Sequence, residues 1–147
     1  MKAEGITTDP SCTFCQILLG KLPCYQVFED EHTFAFLDTK PLFAGHVLVI
    51  PKIHIQTLPD LPDYLTQPFF QIIKKISIAV PKAFGTQGSF VANNNIVSQS
   101  VPHLHVHVVP RTKGDGLKGF FWPRQSGLQQ ASFAKAQQLL KEEILKL

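Results

Sequence analysis

The chain has 147 residues, 44% of them hydrophobic, a length and balance suited to one domain with a buried core. Fourteen Lys and Arg against eleven Asp and Glu leave a formal charge of +3, scattered rather than striped, which speaks against a nucleic-acid-binding surface. No apolar run nears the roughly 20 residues a membrane helix needs, and MKAEGITTDPSCTFC has no apolar signal-peptide core, so a cytoplasmic location without a membrane partner is expected.

Residues 1–11 show no periodicity and are expected to form a loose arm ahead of a single domain at 12–147. The short apolar run Thr13–Gly20, closed by glycine, reads as a brief helix. YQVFED (25–30) and HTFAFLD (32–38) alternate as strands of a hairpin, and HVLVI (46–50) is a mostly buried strand closed by Pro51. Between Asp60 and Phe84, the residues Leu65, Phe69, Ile72, Ile73, Ile76 and Val80 recur at helical spacing. Pro68 is expected in the first turn of that helix, and Pro81 near its end.

SFVANN (89–94) and HLHVHVVP (103–110) read as two further strands. The loop that follows carries Arg111, Lys113, Lys118 and Arg124 among glycines and aromatics, as either a solvated loop or a phosphate-facing one. Its GDGLKGFFWPR segment (114–124) is the expected specificity element, with Phe121 and Trp122 available to close a pocket. Ser126 with Gln129 resembles a capping box for a last helix at roughly 127–146. That helix has an apolar stripe at Phe133, Ala136, Leu140 and Ile144, suited to dock on its own domain or on a partner. The order of elements gives an α+β class: an antiparallel meander of about five strands, a long helix and a C-terminal helix.

His103, His105 and His107 alternate within SQSVPHLHVHVVPRT (98–112). In a strand they face one way, about 6.6–7 Å apart, while Leu104, Val106 and Val108 face the core. Two chemistries suit three imidazoles on one face. Either they hold a metal together, or one is a nucleophile or base that its neighbours orient.

Cys12 and Cys15 are at zinc-ligand spacing, and an odd cysteine count in a chain with no secretion signal argues against a disulfide framework. Cys24 reads as an inert, partly buried small hydrophobe. A structural zinc would take two more ligands, with His54 and one histidine of the trio available. Spacing alone leaves open whether the trio or the cysteines hold a metal.

HLHVHVV (103–109) resembles the signature of the histidine-triad (HIT) family, and the likeness spans roughly residues 12–111. The resemblance implies the HIT fold and a homodimer sharing its sheet. It implies that His105 attacks the α-phosphorus of a purine nucleotide and forms a covalent nucleotidyl-histidine. His107 then stands on the phosphate side, and His46 supports the relay. It further implies a structural zinc on Cys12, Cys15, His54 and His103, with no cofactor for the chemistry itself. Asp38 matches the ribose contact, and Phe14, Ile17 and Phe36 match the base pocket. Gln99 and Ser100 match the phosphate approach, and Asn93 or Asn94 a further polar contact. Here the sequence departs from the family: many members read Asn-Gly-Pro-x-x-Gly-Gln, whereas NNNIVSQ (93–99) has neither glycine.

The expected activity is therefore hydrolysis or nucleotidyl transfer at the α-phosphate of dinucleoside polyphosphates or nucleoside phosphoramidates. The alternatives are a catalytically silent nucleotide-binding module and a metal-assisted hydrolase with the trio as ligands.

Overall fold

The computed structural model describes residues 7–117 and 125–147. The chain forms two compact units, Met1–Asp115 and Gly116–Leu147. The first unit is a five-stranded antiparallel sheet in the order β1-β2-β3-β5-β4, with β1 at Gln26–Glu29, β2 at Thr33–Leu37, β3 at Val47–Pro51, β4 at Gly88–Ala92 and β5 at Val106–Arg111. Short α1 (Thr13–Leu18) precedes the sheet and long α2 (Asp63–Phe84) links β3 to β4, giving the α+β class expected.

Both sheet faces are covered, so β2 and β3 are apolar almost throughout. Leu65, Phe69, Ile73, Ile76 and Val80 of α2 pack on Ala35, Val47 and Val49, together with Leu104, Val106 and Val108. Burying each such α2 side chain is worth roughly 1.5–3 kcal/mol, which sets the helix on that face. On the opposite face Cys12, Phe14 and Cys15 pack against Phe34, Phe36, Leu48 and Ile50. Phe36 pairs with Leu48 and Leu48 with His107, which aligns this row across the middle of the sheet.

Several boundaries differ from expectation for identifiable reasons. α2 starts at Asp63, so Pro68 is its sixth residue rather than part of the first turn. Its missing N–H leaves the carbonyl of Tyr64 without an i+4 donor, tolerable where the helix faces water and Tyr64 is 69% exposed. Pro81 lies near the helix end, as expected: its carbonyl accepts the N–H groups of left-handed Gly85 and of Thr86, and so caps it. β5 begins only at Val106. Ahead of it, Leu104 donates to the carbonyl of Ile55 and His103 to that of Val101, so the first two histidines lie outside the strand ladder.

Residues 7–11 are held rather than loose: His54 donates its backbone N–H to the carbonyl of Thr7, and Cys12 to that of Asp9. Gly45, just before His46, takes φ +92°, and the ring of Phe84 occupies the space a Cβ would need.

In the second unit α3 spans Gln130–Ile144. Its N-cap is Gln129, without a side-chain cap, because Gly127 at φ +77° turns the chain after Ser126 and the expected capping box does not form. Phe133, Ala136, Leu140 and Ile144 are exposed. Phe121 and Trp122 lie outside the described residues. Arg111 forms a two-pronged ion pair with Asp115 that closes the turn after β5. Among the described residues no helix is long and apolar enough to cross a membrane.

Candidate functional site

Two clusters of titratable side chains share the sheet face opposite α2. The first joins Cys12, Cys15, His54 and His103, whose ligand atoms all lie within 4.8 Å of one another. Cys12 is the N-cap of α1 and its sulfur accepts the N–H of Cys15, while the sulfur of Cys15 accepts the N–H of Asp9. Nδ1 of His103 sits 3.5 Å from Sγ of Cys12 and 3.6 Å from Sγ of Cys15, and Nδ1 of His54 is 3.3 Å from Sγ of Cys15. Bonds of about 2.0–2.3 Å to a tetrahedral zinc would hold such atoms about 3.3–3.8 Å apart, so the spacing fits that ion.

Ring protons are arranged to suit as well. Nε2 of His103 donates to the carbonyl of Pro51 at 2.9 Å, which leaves the Nδ1 lone pair facing the two sulfurs. Nε2 of His54 faces the carboxylate of Asp9 at 3.8 Å, and hydrogen bonds from Ser11 hold that carboxyl below its usual range. Cys15 and His103 are fully buried. Burial pushes the thiol of Cys15 up to about 11 and His103 down to about 4, so without a cation both are neutral. A cation would draw the thiol proton off and turn the pair into ligands.

The second cluster borders a cavity of about 340 Å³. Phe14 and Ile17 of α1, Phe36, Asp38, Ser100, His105 and His107 line it. The ring of Phe14 meets those of Phe36 and His105 edge-on, at 5.3 and 5.2 Å. Nδ1 of His105 lies 2.7 Å from the carbonyl of His103. A carbonyl only accepts, so Nδ1 carries the proton and Nε2 keeps a free lone pair.

The same logic runs through the neighbouring pair. The N–H of Leu42 donates to Nδ1 of His46 at 3.1 Å, so the proton of neutral His46 is on Nε2, 2.9 Å from Nδ1 of His107. His107 thereby carries its own proton on Nε2. Burial, reinforced by His105 and His46, pushes His107 down to about 4, and burial lowers His46 although Asp38 pulls the other way. His107 is therefore neutral near pH 7. Asp38 accepts the N–H of Lys40 and stands 3.8 Å from Nε2 of His46.

Asp38, His46 and His107 also offer three ligand atoms within 4.8 Å. Both nitrogens of His46 are already engaged, one by a backbone donor and one by a proton, and so is Nδ1 of His107. A cation there would have to displace the hydrogen bond from the N–H of Leu42 and the one between the two rings.

Gln99 and Asn93 are not on the cavity wall. Nε2 of Gln99 donates to the carbonyl of Gln56 and its Oε1 accepts the N–H of Ile96, so both ends hold the 93–99 loop. Asn93 donates to the carbonyl of His105 at 3.0 Å, and its buried Oδ1 has no partner among the described residues. Ser98, where the family pattern has its second glycine, takes φ +61°, and Ile96 nearby takes φ +68°. The loop's hydrogen bonds offset that strain.

Sequence reasoning missed Thr13, Leu22, Pro23, Cys24, Thr39 and Val101, which also line the cavity. Their one signal was adjacency in the chain to α1, Asp38 and Ser100. Cys24 is half-buried and burial raises its thiol pKa, in keeping with a passive wall residue.

An antiparallel five-stranded sheet that sets a His-x-His-x-His segment beside an apolar cavity is the architecture of histidine-triad proteins. The chain belongs to the HIT family: the HIT domain model matches residues 20–114. It is 43% identical over 115 residues to the Hit protein of Bacillus subtilis, covering 76% of this chain and 79% of that one. It is 34% identical over 143 residues to the adenosine 5'-monophosphoramidase HNT1 of Saccharomyces cerevisiae, covering 96% and 85%. Among solved structures, a protein of Streptococcus mutans superposes with a TM-score of 0.84 at 33% identity, over 93% of this chain and 87% of that one. A zinc-bound histidine triad family protein of Mycobacterium smegmatis superposes with a TM-score of 0.69 at 33% identity, over 88% and 97%.

Proposed function

We propose that the protein is an enzyme that cleaves purine nucleotides at the α-phosphate, with nucleoside phosphoramidates or dinucleoside polyphosphates as substrates. The observation that carries this reading is the 2.7 Å bond from Nδ1–H of His105 to the carbonyl of His103, which leaves Nε2 as the ring nitrogen available for attack beside the cavity. Nε2 attacks the α-phosphorus and a P–N bond forms. The bond to the leaving group breaks with its electron pair, and that group takes a proton from water. Ring positive charge on nucleotidyl-His105 strengthens the hydrogen bond to the carbonyl, so the contact favours the reacting state over the resting one.

His107, neutral with its proton on Nε2, donates to a phosphate oxygen, and His46 fixes that tautomer through the 2.9 Å bond. Asp38 binds the ribose, while Phe14, Ile17 and Phe36 enclose the base. Ser100 borders the phosphate. Water then attacks the phosphorus, the P–N bond breaks, and the nucleotide leaves with His105 neutral again. The phosphoramidase named among the relatives, at 34% identity, supports phosphoramidates as the leading substrate class.

In the same reading, Cys12, Cys15, His54 and His103 hold a structural zinc that anchors α1, supported by the donor set and by the zinc-bound relative. Thiols held for a metal rather than a disulfide suit the reducing cytoplasm. Pairing into a homodimer would use a sheet edge such as β4.

The test is chromatography of reactions with adenosine phosphoramidate, diadenosine triphosphate and diadenosine tetraphosphate. Wild type should release AMP, and His105→Ala should be slower by at least about 10³-fold while still binding AMP. Equal rates would remove His105 from the chemistry. No turnover by either protein would favour the silent binding module.

A further inference from the structure

The Cys/His cluster and the cavity draw on different residues of the same two segments, α1 and the 103–107 stretch. α1 has six residues, far fewer than the about 12–15 an isolated helix needs, so its position depends on what holds it. Cys12 at its N-cap and Cys15 within it belong to the cluster, while Thr13, Phe14 and Ile17 line the cavity. Phe14 is buried with its ring edge-on to both His103, at 5.9 Å, and His105, at 5.2 Å. His103 makes a second link. Its ring belongs to the cluster, fixed by the carbonyl of Pro51, and its own carbonyl orients His105 at 2.7 Å.

We propose that the metal cluster is part of the nucleotide site: holding the ion sets the α1 wall of the nucleoside pocket and the aim of His105, so metal and nucleotide tighten each other's binding. This inference deepens the nucleotide reading and rests on it. One link runs through Phe14 and the other through the backbone of His103. The ion orders α1 once, so a nucleotide arriving afterwards finds its wall already formed.

Linkage requires reciprocity: whatever factor zinc adds to AMP affinity, AMP adds to zinc affinity. Zinc-loaded wild-type protein would be titrated with a competing chelator in the absence and presence of saturating AMP. Retention of zinc should strengthen by about fivefold or more with AMP. Calorimetry should show AMP binding weakened by the same factor in zinc-free protein, at a temperature where circular dichroism shows the sheet folded. Phe14→Ala should keep its zinc and show a smaller coupling factor.

Unchanged zinc affinity while AMP is demonstrably bound would overturn the coupling and leave the nucleotide reading standing. Failure of zinc-loaded protein to bind AMP at all would overturn that reading, and the coupling with it. Because the zinc titration uses wild-type protein alone, it decides the matter even if Phe14→Ala does not fold.

Discussion

The sheet face opposite α2 carries two groups of ligand-type side chains, alike in density and unlike in use. In both, every ligand atom lies within 4.8 Å of the others, and both combine histidines with an acidic or sulfur partner. They differ in what the backbone does to the rings. In the Cys12, Cys15, His54 and His103 group, the carbonyl of Pro51 takes the proton of His103 and turns its lone pair toward two sulfurs. In the Asp38, His46 and His107 group, the N–H of Leu42 takes the lone pair of His46 and sends its proton toward His107. One backbone acceptor prepares a metal ligand, and one backbone donor prepares a hydrogen-bond relay. Residue type and proximity would have given both groups the same assignment.

That contrast breaks most directly at the level of metal content. Atomic absorption should find about one zinc per chain in wild type. His46→Gln and Asp38→Asn should retain it, whereas Cys12→Ser and His103→Gln should lose it. Zinc kept without Cys12, or lost with His46, would reverse the assignment of the two groups.

A smaller effect separates the relay by its protons. Burial holds His107 at about 4 and lowers His46, both from an ordinary value near 6.5. Below about pH 6.5 the unfolded chain takes up protons that the folded chain refuses until about pH 4. The stability contributed is therefore full above pH 6.5 and is lost as pH falls toward 4. In that window His107 accounts for at most about 1.4 kcal/mol per pH unit, or a few degrees of Tm per pH unit, and His46 adds in the same direction. Thermal melts should fall from pH 7 to pH 5, less steeply in His107→Gln; a flat profile would mean that the histidines titrate normally.

Much of this was legible in the sequence, for physical reasons that also mark its limits. Strand alternation and the helical recurrence of Leu65, Phe69, Ile73, Ile76 and Val80 reflect burial on one face, and burial is what the hydrophobic pattern encodes. Cys12 and Cys15, with His54 and His103, could be grouped through the family likeness, and they do converge. The tautomers were not legible, because they depend on Pro51, Leu42 and His103 as backbone partners, and those contributions are independent of side-chain type. Gln99 suited a phosphate by its chemistry. In this chain it is engaged by Ile96 and Gln56, holding a loop that lacks the usual glycines. The start of α3 was misplaced because Ser126 and Gln129 have capping-box spacing, while Gly127 adopts a backbone conformation that spacing does not reveal. Leu22, Pro23 and Cys24 reach the cavity through tertiary packing, with no pattern of their own.

The central claim is that Nε2 of His105 is the nucleophile while the neighbouring histidines hold a metal and a relay. Its most direct test is mass spectrometry of protein quenched at alkaline pH during turnover of adenosine phosphoramidate. A nucleotidyl adduct is expected on the peptide carrying His105, absent from His105→Ala. Turnover with no adduct, or with an adduct on His103 or His107, would contradict it.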